Sequence, residues 1–215
     1  MTAAAPGRKP LRRDALRNRE RIVAGARALF AERGLEVSVE DITRRAGLGM
    51  GTLYRHFPTK EELIDAVLED ALGELLRLAE SALEEPDPWT GLCLFLERAL
   101  ALNAENRGLK DIVATRAHGL GRAAAMRSRL RPLTARLVER AHEQGSLRAD
   151  FAAEDLALLL WGGAGVIEAG GGVAPGIWRR YLGFLLDGLR SEAATPQRQA
   201  PLTRAQVDRA ARSRR

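Results

Sequence analysis

Thirteen residues, Ala46 to Pro58 (AGLGMGTLYRHFP), constrain this chain more than any other stretch. They read as a tight turn at Gly47 feeding a very short helix, Met50 to Phe57. Leu53 and Phe57, four apart, anchor that helix on one face, and Pro58 ends it. Just upstream, Ser38 to Ala46 reads as another short helix with a clear start. Val37 precedes Ser38, Asp41 takes the third helical position and Ile42 the fourth, a capping-box-like pair combined with a hydrophobic staple. Downstream, Thr59 and Glu62 form a second capping box that opens a longer helix.

Around this segment the 3.6-residue pattern dominates. Ile22, Ala26, Leu29 and Phe30 line one stripe of a helix beginning near Arg17, and Gly34 stops it. Leu63, Val67, Ala71 and Leu75 continue a helix to Glu85, where EPDP breaks the pattern. Further apolar helical patterns occupy roughly 88–103, 108–119, 122–144, 152–168 and 175–192. No stretch alternates long enough to be a strand and no repeat is visible, so the expected fold is all-α. The expected division is a flexible basic arm (1–16), a three-helix unit (17–62), a larger helical body (63–195) and a flexible basic tail (196–215).

Charge follows the same division. Residues 1–60 carry 13 basic and 6 acidic side chains, residues 61–195 carry 15 and 21, and residues 196–215 carry 6 and 1. A basic head and an acidic body place any polyanion partner on the head. Cys93 is the only cysteine, so an internal disulfide is excluded and a reducing compartment is expected. One Cys with His56, His118 and His142 scattered along the chain makes a poor metal-ligand set, and neither metal nor cofactor is expected. The start of the chain does not read as a secretory signal, and Leu156 to Ile167 is too short and too glycine-interrupted to span a bilayer. A cytoplasmic location is expected.

Two short helices joined by a glycine turn, inside a basic block, are the makings of a helix-turn-helix reader of double-stranded DNA. Such a helix needs inward anchors, small residues where it meets the duplex, and long polar side chains that reach bases or phosphates. Met50, Gly51, Thr52, Arg55 and His56 are the candidates for base or groove contact. Ser38, Tyr54 and Lys60 are the candidates for phosphate contact.

The stretch from Ile22 to Val67 resembles the DNA-binding domain of the TetR family of bacterial transcriptional regulators. Ile22, Ala26, Leu29, Phe30, Gly34, Ser38, Val39, Ile42, Ala46 and Gly47 carry the likeness, followed by Gly51-Thr52-Leu53-Tyr54, His56-Phe57, Lys60 and Leu63. It departs at Gly49 and Met50, where family members often place Ser or Thr and then a polar or basic residue. The resemblance implies a homodimeric, all-helical repressor on a palindromic operator, controlled by a small molecule held in the C-terminal domain.

For that body, Trp89, Phe95, Leu102, Met126 and Trp161 are candidate walls of a largely apolar effector pocket, with Asn103, Arg116 and His118 as candidate polar grips. Leu158, Trp161, Trp178, Leu182, Leu185 and Leu189 are candidates for a two-fold interface, with Gly162, Gly163 and Ala164 permitting close helix crossing. Two alternatives stand beside this reading: an all-helical enzyme acting on a hydrophobic small molecule, and a DNA-binding adaptor that senses nothing. The enzyme lacks a recognisable nucleophile–base pair, since Cys93 lies in an apolar run.

Overall fold

The computed structural model describes residues 8–105 and 121–213, and among these every extended element is helical. Helix α1 spans Arg8–Arg33, α2 Val39–Ala46, α3 Met50–His56, α4 Lys60–Glu84 and α5 Pro88–Glu105. After them come α6 Gly121–Glu143, α7 Asp155–Gly170, α8 Ile177–Leu189 and α9 Arg204–Ser213. The helix expected over 108–119 lies outside the described residues.

Two starts differ from expectation. Helix α1 begins at Arg8, not near Arg17. Apolar periodicity marks only the packed part of a helix, and the arginine-rich residues 13–21 before Ile22 are helical with none of them buried. Pro10 falls in the first turn, where a missing N–H costs little. Residues 204–213, within the expected tail, form α9, and Arg131 on α6 pairs with Asp208 at 2.9 Å.

The caps formed as the residue types dictate. Ser38 Oγ accepts from the Asp41 N–H at 3.1 Å, and Thr59 Oγ1 accepts from the Glu62 N–H at 3.2 Å. Asp87 does the same for α5, accepting from the Thr90 N–H at 2.8 Å. Both of its Thr90 bonds and a third from Gln144 hold the Asp87 carboxyl below its usual range, the Thr90 hydroxyl contributing most.

Helix α4 joins two cores. Its first half, Leu63, Ile64, Val67, Leu68 and Leu72, packs with Ile22, Phe30, Ile42, Leu53 and Phe57 in the head. Its second half contributes Ala79 and Ala82 to a separate body core around Trp89, Phe95, Leu96, Leu137 and Trp178. Helix α6 runs parallel to it: Met126 approaches Gly73, and Arg140 donates to the terminal carbonyls of Leu83 (2.5 Å) and Glu85 (2.9 Å). Those carbonyls have no partner within α4, so Arg140 supplies one.

Candidate nucleic-acid interface

The turn between α2 and α3 is fixed by backbone geometry. Gly47 sits at φ +62°, ψ +41°, the left-handed region that costs a residue with a Cβ about 1–2 kcal/mol. Its N–H returns to the Arg44 carbonyl and the Leu48 N–H to the Thr43 carbonyl, closing α2. Arg21 Nη2 donates to the Gly47 carbonyl at 3.2 Å, tying the turn to α1.

Beyond the turn, Leu53 and Phe57 are buried in the head core and set the rotation of α3. Gly49 is its N-cap and offers no side-chain bond. Thr43 Oγ1 instead approaches Met50 Sδ at 3.6 Å, so Met50 is half-buried against α2. Gly51, Tyr54 and Arg55 face solvent, Tyr54 at 47% exposure, while Thr52 and His56 are half-buried. One side of this short helix thus holds it in place and the other is presented outward.

The long polar groups are parked on nearby acceptors. Arg55 donates to the Gly51 carbonyl (3.0 Å) and Thr52 Oγ1 (3.1 Å), along its own helix. Lys60 Nζ donates to the Leu35 carbonyl at 2.6 Å. An ammonium has three donors, so this bond leaves two. Ser38, besides capping α2, is exposed at the edge of the same unit.

Sequence reasoning missed Arg19 and Arg21. Arg21 reaches Gly47 in the turn before α3, and the Arg19 guanidinium, paired with Glu69 at 3.8 Å, lies 5.3 Å over the Phe57 ring, so two arginines of α1 pack against this unit. The signal was the run of arginines before Ile22, in which Arg13, Arg17 and Arg21 recur every four residues.

The body places its candidates differently. Trp89, Phe95 and Leu102 are buried in the protomer, Asn103 and Trp161 are half-buried, and Arg116 and His118 lie outside the described residues. Met126, with Arg19, Val23, Ala66 and Gly73, lines a cleft of about 410 Å³ between α1, α4 and α6. It packs against the head core, because α6 starts beside the middle of α4.

Three of the interface candidates lie inside the protomer. Trp178 (2% exposed), Leu182 and Leu189 are already enclosed by the protomer's own core, so little of their surface is left for a partner. Gly162 and Gly163 serve crossings inside one chain: a Cβ there would run into the Tyr181 hydroxyl and Leu100. What remains open on α7 and α8 is Leu158 (42%), Phe184 (62%) and Ile177, with Leu185 and Trp161 half-buried.

Among the described residues no group of three or more His, Cys, Asp or Glu is placed to hold a metal ion, and no helix is long and apolar enough to cross a membrane. Burial pushes the Cys93 thiol up to about 11, which keeps it protonated and weakly nucleophilic at neutral pH.

A helix-turn-helix head with an outward-facing second helix, joined by one long helix to a separate helical core, defines a DNA-binding transcriptional regulator. A crystal structure of a TetR transcription regulatory protein from Mycobacterium vanbaalenii is 33% identical, with 84% of this chain and 99% of that chain covered and a TM-score of 0.63. The chain belongs to the TetR family of bacterial regulatory proteins. A TetR transcriptional regulator from Streptomyces coelicolor is 31% identical, with 80% and 98% covered and a TM-score of 0.62. The family model "Bacterial regulatory proteins, tetR family" matches residues 22–67, and "Transcriptional regulator SbtR-like, C-terminal domain" matches residues 87–191. An HTH-type transcriptional regulator of Staphylococcus aureus is 43% identical over 67 residues. That match spans 31% of this chain and about a third (36%) of the curated relative's length.

Proposed function

We propose that this chain is a ligand-responsive repressor that binds a palindromic operator as a homodimer. Helix α3 enters the major groove, with Gly51, Thr52, Arg55 and His56 toward the bases and Met50 offering apolar contact to a thymine methyl. Arg55 leaves its helix-bound pose to do so. Ser38, Tyr54 and Lys60 hold phosphates, which sets the register of the head on the duplex without reading sequence. The partner protomer docks through the open apolar face of α7 and α8, where Leu158, Ile177 and Phe184 stand exposed.

The observation that carries the regulatory part is helix α4. One rigid element shares a core with α3 at its start and a core with Trp89 and Phe95 at its end. A largely apolar small molecule lodged among α5, α6 and α7 would shift that end and alter the spacing of the two recognition helices, which must match about 34–36 Å. A 100-fold loss of operator affinity needs about 2.7 kcal/mol of differential binding.

The test is to find a small molecule that raises the thermal midpoint of the free protein and to measure operator affinity with it saturating. Release is expected, and by reciprocity operator DNA must weaken the ligand by the same factor. Tight ligands that leave operator affinity unchanged would reduce the protein to a DNA-binding adaptor.

A further inference from the structure

Helix α1 runs well past the core it serves. Its buried residues begin at Ile22, and between Arg13 and Arg21 none is buried. Arg13, Arg17 and Arg21 are exposed, and Leu16 is 61% exposed. A helical stretch of this length is marginal in water without a packed face. Charge adds to that cost, because residues 8–21 carry seven basic and two acidic side chains. Like charges along one short helix repel, and a polyanion laid beside them turns that repulsion into attraction.

The base of this segment is fixed against the reading head. Arg21 is bonded to the Gly47 carbonyl in the turn that aims α3, while Arg19, paired with Glu69 at 3.8 Å, packs over Phe57 on the core side. The projecting turns therefore start beside the turn that aims α3. At 1.5 Å per residue, residues 8–21 extend about 21 Å, the length of about six base pairs. Leu16 raises a second copy of the chain as another occupant. Two such helices carry the same net charge, and their mutual repulsion argues against pairing.

We infer that the N-terminal turns of α1 bind the sugar–phosphate backbone of the DNA flanking each half-site, outside the base pairs that α3 reads. This rests on the DNA-binding function proposed above and adds to it an affinity component that carries no sequence information.

The test uses the duplex recovered by selection from a random pool, made as the core alone and with about six base pairs of arbitrary sequence added at each end. The full chain is compared with the double variant Arg13→Ala, Arg17→Ala, whose helix is preserved because alanine is the strongest helix former. The extension should tighten wild-type binding about tenfold or more and steepen its log–log salt dependence by roughly 0.9 per phosphate neutralised. The double variant should lose most of both gains and keep the wild-type ratio between selected and scrambled cores. A wild type that gains nothing from the extension, or a variant that gains as much, overturns the inference while leaving DNA reading intact. A variant that loses a higher assembly formed by the DNA-free wild type would assign the segment to chain pairing, and overturns it too. Failure of any core to bind overturns both this inference and the function it rests on.

Discussion

Arg27 Nη1 lies 3.0 Å from a carboxylate oxygen of Asp70, joining the middle of α1 to the middle of α4. The other arm of the same guanidinium reaches Glu74 at 2.8 Å. The pair sits where the head core gives way to the body, so it holds the lever to the unit it would move. Replacing Arg27 with Met should cost about 1 kcal/mol in urea unfolding, because these carboxylates are partly exposed and screened. The larger effect should fall on coupling: saturating ligand should release DNA less completely than in the wild type. Unchanged coupling would mean that the packed face of α4 alone carries the motion.

Gly47→Ala tests the turn. The left-handed backbone should make it about 1–2 kcal/mol less stable, and the added Cβ would meet Arg21 Nη2 at 2.9 Å. Because the turn aims α3, DNA affinity should fall by more than the unfolded fraction explains. Gly47→Asn should be milder, since Asn tolerates this conformation. Equal effects of Ala and Asn would show that backbone strain is not the cause.

Lys60 and Arg55 should separate phosphate grip from base reading. Lys60→Met is expected to weaken selected and scrambled duplex alike, whereas Arg55→Ala should relax preference at particular positions, by about 1–3 kcal/mol for a lost bidentate contact. Binding curves on both duplexes decide it. A Lys60→Met protein altered only in the ratio would remove the phosphate role.

Phe184→Arg should yield a monomer in sedimentation with its helical signal retained. The side chain is 62% exposed in the protomer, so the change harms only a face that a partner would cover. Operator affinity should fall with it, because two linked half-sites bind far more tightly than one. A wild type that sediments as a monomer at micromolar concentration would remove both the interface and the palindrome.

Asp87 should contribute to acid sensitivity. Its hydrogen bonds to Thr90 and Gln144 depress the folded-state value, so its stabilising effect is complete above the ordinary carboxyl range, near 3.9. That contribution is lost as pH falls through the lower folded-state value. Asp87→Asn keeps an acceptor for the Thr90 N–H without the charge. Its stability should fall less steeply below about pH 4 than the wild type's. An identical acid limb would show that this cap is not a proton-linked element.

Local rules made the head readable. Ser38, Thr59, Gly47 and Pro58 each act through their immediate neighbours, so caps and turn followed from residue type and spacing. The same reasoning placed Leu53 and Phe57 inward, leaving Tyr54 and Arg55 outward. The body resisted it because its helices are apolar on several sides. Trp178 and Leu182 suit a subunit interface or a core equally well until α5 and α7 are placed against them. Met126 sits beside the head because α4 and α6 run parallel, a placement no local pattern shows. Arg19 and Arg21 showed only as charge, since the apolar stripe that orients α1 starts at Ile22.

Whether this chain reads DNA is decided by selection of bound duplexes from a random pool by the full chain. Enrichment of an inverted repeat is expected, with half-site centres one DNA turn, about 34–36 Å, apart or a multiple of it. Binding to that duplex should fall with salt on a log–log slope of magnitude roughly 5 or more. Recovery of no common sequence, together with binding that does not respond to salt, would contradict DNA reading by this chain.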